Sequence, residues 1–215
     1  MLQVNYRGSS GYGARFAEAG KRQWGKAMQD DLTDAVKWAV QQNITSAGNV
    51  GIYGASYGGY AALAGLTFTP DLYRCGANYV GVSDLTLIAR PNEMTSAART
   101  AWTQEWIGSD TDDLRKRSPS AHVASIRVPS LHAYGENDPR VDIGHWKVLE
   151  RELKRHNKPY VFIRERDEGH GFEREASRLK FYHVLEEFFA RHLPVTAADE
   201  LPKATPIHPP AKSER

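Results

Sequence analysis

Apolar positions along this chain switch between two periods. Leu32, Ala35, Val36, Ala39 and Val40 fall at helical spacing and predict a helix over 31–42, with Asp30 and Asp31 as cap candidates that also suit its positive end. A short apolar run predicts a buried strand at 49–53, followed by a tight glycine turn over 54–59 and a helix of small residues over 60–68. Further strands are predicted at 78–82, 130–134 and 160–163. A helix over 143–156 places Trp146, Leu149 and Leu153 on one face and stops at Asn157-Lys158-Pro159; another over 173–193 carries Leu185, Phe188 and Phe189. The chain opens on an apolar run read as a strand at 2–5, then a glycine-rich turn from Arg7 to Gly13, while 84–119, around Trp102 and Trp106, shows no clear period. Strands alternating with helices predict an α/β fold with a mainly parallel sheet. Beyond residue 193, Pro194, Pro202, Pro206, Pro209 and Pro210 interrupt a polar stretch, which assigns 194–215 to a disordered tail and 1–193 to one folded domain.

Composition narrows the function classes. At 215 residues, 40% hydrophobic and 25% charged, the chain is long enough to bury a core without disulfides or a structural metal. The net charge of +2 argues against an evenly basic nucleic-acid surface. Cys75 is the one cysteine, so neither an internal disulfide nor a multi-cysteine zinc site forms. No apolar run reaches membrane-spanning length, and the first residues lack the apolar core of a signal peptide, so the expectation is a cytoplasmic protein without a membrane partner.

The chemistry concentrates in three segments. Gly54-Ala55-Ser56-Tyr57-Gly58-Gly59 fits G-x-S-x-G between a predicted strand and a predicted helix, the setting of a nucleophile elbow; the plain alternative is a glycine turn with an idle serine. The glycines two before and two after Ser56 leave room for strand and helix, and Gly59 and Ala61 let the helix pack closely. A serine hydroxyl needs a base. Of eight histidines, His170 in Asp167-Glu168-Gly169-His170-Gly171-Phe172 lies on a glycine-flanked turn after the last strand, whereas His132 reads as a core residue, and His145, His156, His183, His192 and His208 as solvated or structural ones. The orienting carboxylate is Asp138, in the turn after 130–134, with Glu136 as its competitor. The order Ser56, Asp138, His170, each just after a strand, is the α/β-hydrolase order, and the N–H of Tyr57 is the expected oxyanion donor.

On these motifs the chain resembles the catalytic domain of the prolyl oligopeptidase family, which includes acylaminoacyl peptidases and dipeptidyl peptidases. Asn5 to Gly13 is similar to N-Y-R-G-S-x-G-Y-G; Trp24-Gly25 and Asp30-Asp31 to W-G…D-D; Gly54 to Gly59 to G-x-S-Y-G-G; Asp138 to Val141 to D-x-R-V; and Gly169 to Gly171 to the histidine motif. The resemblance covers about residues 2–193 and implies an α/β-hydrolase fold. It also implies that Arg140 binds a substrate carbonyl and that Trp102 walls the primary specificity pocket. Against that pattern the chain carries no β-propeller and is expected to be incomplete at the N-terminus: 2–5 corresponds to the fourth strand of the fold, with the first three absent. The second oxyanion donor, from the loop after the third strand, then has no counterpart, a loss worth about 10²–10³ in rate. Strand 49–53 would expose an apolar edge open to pairing with another chain, which leaves three alternatives open: strand 2–5 moves beside 49–53, the chain forms a homo-oligomer through that edge, or it is one piece of a longer protein.

Other motifs carry no chemistry. Gly8 to Gly13 lacks the G-K-[ST] of a phosphate loop, Arg115-Lys116-Arg117 reads as a solvated face, and no histidine–carboxylate set has metal spacing, so neither cofactor nor metal is expected. The leading expectation is a serine peptidase cleaving short peptides or acyl-peptides through an acyl-enzyme. Its rivals are a carboxylesterase acting on small esters and a non-catalytic fragment with an ancestral triad.

Overall fold

The computed structural model describes residues 1–89 and 97–193; the expected tail lies outside the described residues. Strands β1 (Gly51–Ala55), β2 (Cys75–Tyr79), β3 (Ser130–Gly135) and β4 (Tyr160–Glu165) lie side by side in that order, and every pair is parallel. Around them run α1 (Ala14–Glu18), α2 (Ala27–Gln41), α3 (Tyr57–Phe68), α4 (Leu85–Ala89), α5 (Ala97–Trp106), α6 (Thr111–Lys116), a 3₁₀ turn (Pro119–Ser125), α7 (Gly144–Arg155) and α8 (Glu175–His192).

Helices cover both faces of the sheet, which is why β2 and β3 are buried along their whole length and read as small or apolar runs. Ile52, Tyr134, Phe162 and the buried faces of α3 and α7 form one layer. Ala77, Tyr79, Leu131, Ala133 and Ile163 meet Phe181, Leu185 and Phe188 of α8 in the other. α3 is buried from Gly59 to Thr67, and its small residues suit a helix enclosed on all sides. Because the strands are parallel, the carboxyl ends of β1, β3 and β4 emerge at one edge, where open α/β sheets hold their sites.

Several sequence expectations need correction. Among the described residues, 2–5 pair with no strand and β1 pairs with β2 alone; the segment passes instead to Tyr6 and Arg7. Helix α2 starts at Ala27, so Asp30 lies inside its first turn and Asp31 does not cap it. The Asp31 carboxylate accepts from Arg7 N, Nε and Nη2 at 2.7–2.9 Å, and those bonds hold it below the usual carboxylate range. The second strand starts three residues before the predicted 78–82, at Cys75, and ends two residues into it, at Tyr79, because Val80 turns at φ 45°. The described part of 84–119 is largely helical. Arg117 is not solvated: it is buried, and its guanidinium donates to Asp113 Oδ2 and to the carbonyls of Trp24 and Ile107, tying three segments together.

Candidate active site

The chain turns from β1 into α3 through one residue. Ser56 sits at φ 57°, ψ −116°, a conformation costly for a residue with a side chain and typical of sites where backbone strain serves a role. Its N–H donates to Tyr79 O at 2.9 Å, and its carbonyl accepts from Tyr60 N at 3.1 Å. Two glycines make this turn possible. A Cβ on Gly54 would run into the Gly58 backbone, and one on Gly59 would stand 2.5 Å from Asn78 Oδ1 and 2.6 Å from Gly81 Cα. Gly58, two after the serine, has nothing within 4 Å of such a Cβ, so here the room is needed by Gly54 and Gly59 instead.

Behind the turn, Tyr57 is clamped by aromatic rings. Tyr6 lies 5.0 Å from it and Trp24 4.5 Å, edge on, while Trp24 also meets Tyr60 at 5.1 Å. The N-Y-R-G and W-G motifs thus converge on the residue after the serine. As the first amide of α3, Tyr57 N has no carbonyl of its own helix to bond.

The three sequence-selected residues lie in one hydrogen-bonded line. Ser56 Oγ is 2.8 Å from His170 Nε2, and His170 Nδ1 is 2.7 Å from Asp138 Oδ2. Asp138 is buried, and its other oxygen accepts from Arg140 N at 2.8 Å and Val141 N at 2.9 Å, which fixes the carboxylate plane. With the Nδ1 proton held by Asp138, Nε2 is left to accept from the serine hydroxyl. Glu136 is no competitor: its carboxylate takes Arg164 Nε from the neighbouring strand.

His170 stands at the tip of a tight turn in which Gly171 N donates to Gly169 O at 3.0 Å, with Gly171 at φ 109°. Two residues passed over in the sequence reading hold this turn. Tyr79 Oη accepts from Phe172 N. Glu168, buried, accepts from Glu173 N at 2.8 Å and Arg174 N at 3.1 Å, while its carbonyl accepts from Asn137 N at 3.0 Å. Burial alone would raise the Glu168 pKa, but those N–H donors and the Ser177 hydroxyl outweigh it and hold the carboxylate below its usual range. Neither residue carries a sequence signal, because a strand tyrosine and a loop glutamate are ordinary until the turn closes on them.

Cys75, His132 and His145 are taken up in the core. Burial pushes the Cys75 thiol up to about 11 and His132 down to about 3, with His132 packed on Trp146. His145, lowered to about 4 by burial, faces Ser83 N and Asp84 N. Arg140 is exposed beside Asp138, and its carbonyl accepts from Arg99 Nη2 at 3.1 Å. Trp102 is 48% exposed on α5 and stacks 6.3 Å from Trp106; among the described residues neither a hydrogen bond nor a ring contact joins it to Ser56, Asp138 or His170. No group of three His, Cys, Asp or Glu among the described residues could hold a metal ion, and no helix there is long and apolar enough to cross a membrane. A cleft of about 540 Å³ lies against α2, lined by Val4, Phe16, Ala35 and Trp38 and by none of Ser56, Asp138 and His170; Arg7 and Asp31 in it pair with each other.

A family model described as the prolyl oligopeptidase family matches residues 1–196. Dipeptidyl aminopeptidase BIII of Pseudoxanthomonas mexicana is 39% identical over 204 residues, which is 90% of this chain and 29% of that protein. Dipeptidyl peptidase family member 6 of Caenorhabditis elegans is 33% identical over 199 residues, 90% of this chain and 27% of that one. Among solved structures, a puromycin-hydrolyzing peptidase of Mycobacterium tuberculosis superposes with a TM-score of 0.82 at 29% identity, covering 90% of this chain and 29% of its own. The chain thus spans less than a third of the length of these relatives.

Proposed function

The chain belongs to the prolyl oligopeptidase family, and from that premise we propose that it is a serine peptidase acting on short peptides or acyl-peptides. Ser56 Oγ attacks the acyl carbon while His170 Nε2 takes its proton, and Asp138 holds the imidazolium that forms. The tetrahedral oxyanion accepts from Tyr57 N–H. Collapse expels the amine, which takes the proton back from His170, and water resolves the acyl-enzyme by the same route. Arg140 binds a substrate carbonyl, and Trp102 provides an aromatic wall for the side chain before the cleaved bond. One edge of β1 pairs with no strand among the described residues, and a second copy would add to the sheet there.

The observation that carries this reading is the line from Ser56 through His170 to Asp138 at 2.8 and 2.7 Å. The peptidase names of the relatives support amide rather than ester substrates. Fluorophosphonate labelling of the purified chain tests it. Label confined to Ser56, lost in Ser56→Ala and in His170→Ala, is the expected result, followed by turnover of peptide amides. Ester turnover without amide turnover would replace the peptidase with a carboxylesterase, and a folded chain that takes no label would replace both with a non-catalytic protein.

A further inference from the structure

The triad histidine rides on a turn with little support of its own. Gly169 and Gly171 flank it, Gly171 in a left-handed conformation, and the turn's internal bond is Gly171 N to Gly169 O. A glycine-flanked tip is conformationally free unless its ends are seated. Both ends are seated, and by groups outside the triad. Before the tip, the Glu168 carbonyl takes Asn137 N from the turn that carries Asp138, so the two triad turns are fastened to each other. After it, Phe172 N donates to Tyr79 Oη, and the Glu168 carboxylate spans the tip to take Glu173 N and Arg174 N at the entry to α8. Both side chains are rigid: Tyr79 is stacked on Phe181 at 4.3 Å and belongs to β2, whose carbonyl at the same residue takes Ser56 N, and Glu168 is 3% exposed with both oxygens bonded.

We propose that Tyr79 and Glu168 are positioning residues for His170, two anchors that set the imidazole at once against Asp138 and Ser56. Tyr79 is the more telling of the two. Its main chain bonds the nucleophile and its hydroxyl bonds the loop of the base, so one residue of β2 sets the spacing between Ser56 and His170. Displacement of catalytic groups by about 1 Å typically costs up to about 10²-fold in rate, and these anchors act on that scale.

The proposal rests on the hydrolase reading for its kinetic arm only. Tyr79→Phe keeps the ring and removes the acceptor; Glu168→Gln keeps the size and leaves an amide facing two N–H donors. In each variant the limiting rate of fluorophosphonate labelling is expected to fall by about tenfold to 10²-fold with the half-saturating reagent concentration little changed, as befits lost positioning rather than lost binding. Tyr182→Phe, exposed on α8, is the control and labels at the wild-type rate. The second readout needs no turnover: the His170 Cε1–H resonance, assigned with His170→Gln, shifts toward the value of a free histidine in both variants. A wild-type chain that takes no label defeats the hydrolase reading, and the resonance then decides the anchors alone. Variants that fold and keep both the wild-type rate and the wild-type resonance overturn the proposal, whatever happens to their melting points. Two variants on separate anchors keep the test decisive where one of them fails to fold.

Discussion

Asp138→Asn changes one atom of the site and should silence it without unfolding the chain. The carboxylate has three donors to satisfy: His170 Nδ1 on one oxygen, and Arg140 N and Val141 N on the other. An asparagine satisfies the two backbone donors only by turning its oxygen toward them. Its NH₂ then points at His170 Nδ1, which must become an acceptor and send its proton to Nε2. An N–H at Nε2 cannot take the serine proton. The working tautomer returns only if the amide flips, which leaves Arg140 N and Val141 N facing an NH₂. Each orphaned N–H costs about 1–3 kcal/mol, so the flip costs about 2–6 kcal/mol. At about 1.4 kcal/mol per factor of ten, this predicts a loss of about 30-fold to 10⁴-fold, a range that reaches the roughly 10⁴-fold drop this substitution causes in a serine protease triad. The assay is the fluorophosphonate labelling rate at fixed pH, with thermal unfolding alongside. The unfolding midpoint should stay close to wild type, because the favoured orientation keeps both backbone bonds. A folded Asp138→Asn chain that labels within about threefold of wild type, where this reasoning allows no less than about 30-fold, would refute it.

Three further outcomes test the surrounding structure. Gly59→Ala puts a Cβ against Asn78 and Gly81 and should cost at least about 1–3 kcal/mol in denaturant unfolding, whereas Gly58→Ala, with open space and a helical position, should be neutral or gain up to about 1 kcal/mol; equal effects would contradict the steric account. Arg117→Lys loses the fork that reaches Asp113, Trp24 and Ile107 together and should destabilise by about 2 kcal/mol or more, against near zero for a solvated arginine. Burial holds His132 at about 3 and His145 at about 4, so below the ordinary histidine value of about 6.5 the unfolded chain binds protons that the folded one refuses. Stability is full above that value and falls as pH drops toward 4, by at most about 1.4 kcal/mol per pH unit for each histidine, and a melting point flat from pH 7 to 5 would exclude this.

Much of the fold was legible because its signals are local. A buried strand that runs into a glycine turn and then a helix of small residues can be read from a few neighbours, and so can Ser56, the one residue between β1 and α3. The same holds for α7, whose Trp146, Leu149 and Leu153 are all buried as their spacing predicts. The misreadings share one cause. Residues 2–5 have the apolar pattern of a strand, but a strand exists only with a partner, and among the described residues none pairs with them. Arg117 follows two charged residues and looks solvated until three separate carbonyl and carboxylate acceptors close around it.

By itself, then, the amino-acid order determined the α/β alternation and the parallel sheet, and it singled out Ser56 and His170 with two candidate carboxylates, Asp138 and Glu136, since each depends on residues close in sequence or on motifs that tolerate little change. Tertiary structure alone decided which carboxylate faces the histidine, by giving Glu136 to Arg164 and the backbone of Arg140 and Val141 to Asp138. It also decided that Tyr79 and Glu168 hold the histidine turn. Those are hydrogen bonds between groups far apart in the chain or across a closed turn, and their partners are defined only once the strands have set the distances.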